Sequence, residues 1–139
     1  MMAVGAVFFD PVTCSLGEQF YTRVNIEDCI IKGAIPEGGV IKYCLGLCSD
    51  ERAKLISDNN PNLWDAGEKF SDWLTGNADD LATLGAWSRK PSLEFAILRR
   101  SLGLSFEGIP WARDREWGSY RARDAFWHRS AINLPKGQY

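Results

Sequence analysis

The chain has 139 residues, 45% of them hydrophobic and 24% charged, and a formal net charge of −2. That is the length of one ordinary domain, able to bury a core without disulfide or metal staples. The sequence has no run of about 18 apolar residues for a membrane-spanning helix, and its composition excludes collagen-like and disordered chains. Two asymmetries lie beneath the averages. All six Trp fall between Trp64 and Trp127. Residues 1–88 carry six basic and thirteen acidic side chains, whereas residues 89–139 carry ten and five.

Residues 3–9 read as a buried strand closed by the turn signal Asp10-Pro11. The apolar start has no basic leading region and no small-residue cleavage pattern, which argues against a signal peptide and for the cytoplasm. Gln19 to Val24 is a second strand candidate by its aromatic and β-branched content. Asn25 can cap a short helix through Ile31, with Glu27 and Asp28 in its first turn and Gly33 after its end; a strand over the same residues is the alternative. Pro36-Glu37-Gly38-Gly39 is a turn, and Val40 to Leu47 reads as a further strand. On that strand Cys44 and Cys48 share one face. With Cys14 and Cys29 they are read as reduced, structural thiols.

After Ser49 the period changes. Ser49, with Asp50 and Glu51 behind it, is placed as the N-cap of a helix through Ser57. From Leu63 the apolar residues Ala66, Phe70, Trp73 and Leu74 recur at the spacing of one helical face, and Gly76 ends that helix. Asn77 is expected to cap the next, with Asp79 and Asp80 as helix-start charges and Leu81 and Leu84 inward. Leu93 to Leu102 is apolar almost all round, the mark of a central helix, and Gly103 stops it. A Trp- and Arg-rich helical stretch is expected over residues 111–131. Strands first and helices afterwards predict an α+β fold in a single domain, 1–139, with about three strands in residues 1–48 and helices in 49–139.

Four kinds of chemistry compete with ordinary structural roles. A cysteine hydrolase would need the only histidine, His128, as base, but no cysteine sits in a recognisable local signature. Zinc bound by Cys44 and Cys48 with Cys29 or His128 lacks the second paired spacing such sites usually show. Nucleic-acid binding is the alternative carried by Arg89, Lys90, Arg99, Arg100 and the arginines of 113–129, interleaved with aromatics that can stack bases. Residues 98–107 resemble the opening helix and turn of helix-turn-helix repressors, but Pro110 interrupts the second helix. Pairs such as Arg113 with Glu116 equally describe a solvated helix.

The leading expectation is protein recognition, because Trp, Tyr and Arg dominate binding hot spots. The partner-binding set is Trp111, Arg113, Arg115, Trp117, Tyr120, Arg121, Arg123, Trp127 and Arg129. The sequence thus predicts a non-enzymatic adaptor, regulator or inhibitor, of the kind that accompanies phages or mobile elements. No catalytic residue, metal or cofactor is expected. The partner is a protein, or alternatively a nucleic acid, with no membrane and with self-association open.

Overall fold

The computed structural model describes residues 1–102 and 116–118. Strand β1 (Ala3–Phe9) pairs antiparallel with β2 (Leu16–Arg23), with Ala3 opposite Arg23 and Ala6 opposite Phe20. Asp10 builds the turn between them. Its carboxylate accepts from the Val12 N–H at 2.7 Å and the Thr13 hydroxyl at 2.8 Å, and these bonds hold it below the usual carboxylate range.

Three helices follow: α1 (Ile26–Ile31), α2 (Gly38–Gly46) and α3 (Ser49–Leu55). The Asn25 side chain caps α1 by accepting from the Asp28 N–H at 3.0 Å. Gly33, at φ 91°, terminates it in the left-handed conformation that glycine takes without penalty. The expected strand over 40–47 is instead helix α2. An apolar run of this length is ambiguous between the two states, and the turn before it supplies a helix start rather than a strand start. Cys44 therefore lies within α2, and Cys48 is the N-cap residue of α3, one position before the expected Ser49. Only two strands, not three, form the N-terminal sheet.

Helix α4 (Leu63–Asn77) matches its periodicity. Leu63, Ala66, Phe70 and Leu74 are buried, and the Asn62 side chain caps the helix by accepting from the Asp65 N–H. Asn77 ends α4 rather than opening the next helix. Its amide donates back to the Trp73 carbonyl at 2.7 Å, and Leu81–Thr83 makes only a short 3₁₀ turn. Strand β3 (Ala86–Ser88), missed in the sequence, pairs in parallel with β4 (Glu116–Gly118), and α5 (Pro91–Leu102) lies between them in the chain. The α5 helix is not central: Phe95 is buried, but Leu93 and Ile97 are 52% and 41% exposed. The α+β class stands. No helix among the described residues is long and apolar enough to cross a membrane.

Two buried clusters hold these elements. One joins Val4, Phe70, Leu74 and Phe95, and the other joins Val24, Cys29, Leu63 and Ala66. All four cysteines are free thiols, and only Cys29 is buried, where burial pushes its thiol up.

Candidate functional site

A groove of about 1020 Å³ runs between β1 on one side and β3 with the start of α5 on the other. Its floor comes from the C-terminal half of α4. Trp73 stacks on Phe70 (ring centroids 5.9 Å apart, planes at 24°) and meets Phe8 at 4.6 Å and Phe20 at 5.5 Å. These aromatics gather because α4 places residues 70, 73 and 74 on adjacent parts of one face, while Phe8 and Phe20 come from the two paired strands. At the mouth, Phe9 meets Trp87 edge-on at 5.9 Å.

The polar lining comes from the connection out of α4 and the entry to α5: Asn77, Asp79, Asp80, Thr83, Ser88 and Glu94. Asp79 and Asp80, expected at a helix start, lie instead in the turn between α4 and β3, where the Asp80 carbonyl accepts from the Thr83 N–H and hydroxyl. Glu94 receives the Ser88 hydroxyl and the Lys90 N–H, and the Ser88 bond above all holds its carboxyl below the usual range. It is therefore ionised at neutral pH and ties the β3–α5 turn to the first turn of α5. Beside it Arg89 and Lys90 are exposed on that turn, and Arg99 and Arg100 fall in the helix's last turn.

The expected partner-binding set is mostly not placed. Trp111, Arg113, Arg115, Tyr120, Arg121, Arg123, Trp127 and Arg129 lie outside the described residues, as do His128, Gly103 and Pro110. Trp117 is described, on β4 opposite Trp87, so at that point the expected helix over 111–131 is a strand. Dense aromatics suit either state, and helical spacing alone does not exclude a short strand that finds a partner. The sequence marks Asp79 and Asp80 only as helix-start charges, because residues 77–94 meet β1 through tertiary contact and no local motif places them in a groove.

Catalytic metal centres gather several carboxylate, histidine or cysteine ligands around the ion. Among the described residues, no group of three or more His, Cys, Asp or Glu is arranged to hold a metal ion. Asp79, Asp80 and Glu94 do not by themselves make such a centre.

The model of the family described as "3'-5' exoribonuclease Rv2179c-like domain" matches residues 1–127. The chain belongs to that family. No curated protein and no solved structure matches it. Membership overturns the expectation of a non-enzymatic adaptor, regulator or inhibitor, because the family is described as a ribonuclease and points to an enzyme. Arginines among aromatics suit RNA phosphates and bases as well as protein hot spots, so composition alone does not choose between the two partners. The nucleic-acid alternative is the reading that the family favours.

Proposed function

We propose that the protein acts on RNA as a 3'-5' exoribonuclease, removing nucleotides one at a time from the 3' end. The family match over residues 1–127 carries this reading. Each cycle adds water across the terminal phosphodiester and breaks the P–O3' bond. It releases a nucleoside 5'-monophosphate and leaves a new 3'-hydroxyl on the shortened strand. The basic turn Arg89-Lys90 supports the reading, because a polyanion is attracted to clustered cations beside the positive end of a helix. Glu94 is a positioning residue that fixes this turn through Ser88 and the Lys90 N–H.

The test is digestion of a 5'-labelled single-stranded RNA with magnesium or manganese present, resolved on a denaturing gel. A ladder of progressively shorter labelled products is expected, with a circular RNA of the same sequence resistant. Intact RNA under all conditions, or cleavage of the circle, overturns the proposal. Paired Arg89→Ala and Lys90→Ala changes should raise KM and flatten its dependence on salt, with kcat little altered.

A further inference from the structure

Among the described residues, two exposed apolar surfaces carry charges of opposite sign. The first is a hollow between α1 and the end of α3, lined by Ile26, Ile30 and Ile31, by the α3 C-cap residue Ile56, and by Glu27 and Asp58. Ile30, Ile31 and Ile56 are 49%, 77% and 61% exposed. No lysine or arginine lines this hollow. The basic residues nearest along the chain are already engaged, Arg23 and Lys54 with Glu51 and Lys32 with Asp28. Glu27 and Asp58 are exposed and have no ion-pair partner among the described residues. The Asn25 side chain is occupied in capping α1, and the Ser57 hydroxyl accepts from the Asn59 N–H at 3.2 Å.

The second surface lies on α5. Leu93, Ile97 and Arg100 recur at the four- and three-residue spacing of one helical face, while Phe95 is buried on another. Leu93 and Ile97 are 52% and 41% exposed. Arg100 is exposed at the C-terminal end of this row, and Lys90 is exposed just before its start. Neither cation has an ion-pair partner among the described residues. The carboxylate of Glu94 is turned back to the Ser88 hydroxyl and the Lys90 N–H.

We propose that these two surfaces meet between copies of this chain: the Leu93, Ile97 and Arg100 row of one copy seats on the α1–α3 hollow of another. Charge complementarity sets the occupant. Aliphatic side chains flanked by Lys90 and Arg100 face aliphatic side chains flanked by Glu27 and Asp58. The aliphatic contact supplies the affinity, and the charges set encounter rate and orientation. A nucleic acid does not suit the hollow, because its phosphates would meet two carboxylates and no cation. The two surfaces differ, so the contact is heterologous. Each offers a handful of residues, against about 20–30 on each side of a standard interface, so the association is weak and follows concentration. The proposal does not rest on the exoribonuclease reading.

The test is sedimentation velocity of the full chain over a concentration series up to about 1 mM. Self-association that grows with concentration is expected. Ile31→Ser or Leu93→Ser should weaken it about tenfold or more, with circular dichroism unchanged because both side chains are more than half exposed. Two charge-reversed chains give the decisive arm and leave the apolar residues intact. Glu27→Lys with Asp58→Lys makes both surfaces basic, and Lys90→Glu with Arg100→Glu makes both acidic, so each chain alone should lose self-association. Mixed together, the two chains present opposite charges at both contacts, and association should return. A parent chain that stays monomeric, reversed chains that self-associate as the parent does, or a mixture that regains nothing overturns the proposal. Single-stranded RNA binding that is lost on Ile31→Ser would make the hollow an RNA surface and overturns it equally.

Discussion

Helix α4 serves two clusters of different character. Its first turns set Leu63 and Ala66 against Val24 and Cys29, small and medium side chains with Val24 wholly buried. Its last turns set Phe70 and Leu74 against Val4 and Phe95, with the rings of Phe8, Phe20 and Trp73 around them. The first cluster is closed by directional ties. The Asn25 N–H donates to the Pro61 carbonyl at 2.8 Å, the Leu63 N–H to the Asp28 carboxylate at 2.7 Å, and the Cys29 thiol to the Met1 carbonyl at 3.2 Å. The second borders the groove and leaves the Trp73 indole N–H without a partner among the described residues. One end of α4 fixes the scaffold. The other borders the groove.

The largest test of that contrast is Phe70→Ala. It removes the ring shared by strand and helix and should cost about 3–5 kcal/mol in chemical denaturation. Retention of most of the stability would show that the aromatic cluster is not a core. Overpacking separates the two ends next. Ala66→Leu, at a site 1% exposed, should cost about 1–3 kcal/mol, while Ala86→Leu on the groove wall should cost little. Equal costs would erase the distinction between a closed and an open side.

Asp28→Asn should cost about 1 kcal/mol, because it weakens the hold on the first N–H of α4 and removes the ion pair with Lys32. Burial pushes the Asp28 carboxyl up, but the Leu63 N–H and the Lys32 ammonium outweigh it, and the net direction is down. Stabilisation by this group is therefore present above the ordinary value of 3.8 and lost as pH falls through the lower folded value. The variant should accordingly lose less stability than the parent on acidification below about pH 4. The smallest effect belongs to Lys54→Ala. Its pairing with Glu51 at 3.1 Å is half exposed on both sides and should be worth less than about 0.5 kcal/mol.

Local chemistry was legible where it acts within one element. The spacing from Leu63 to Leu74 announced α4, and Asn25 with Gly33 offered α1 beside a strand alternative, because caps and helical faces depend on residues a few positions apart. The run Val40–Leu47 misled, since a short apolar stretch satisfies strand and helix alike until its neighbours decide. Strand β3 was invisible because three residues become a strand only by finding a partner, here β4. The function was misread for a related reason: composition showed that arginines and aromatics were concentrated, not which polymer they meet.

By itself the sequence determined the α+β class, the first two strands, the long amphipathic helix and the split between an acidic first part and a basic last part. These follow from period and charge, which need no tertiary partner. Only the tertiary structure brought Asp28 of α1 to the N-terminus of α4, and Asp79, Asp80 and Glu94 to one groove beside β1. Such placements depend on how separate elements pack, and packing brings together residues whose distance along the chain carries no trace of their distance in space.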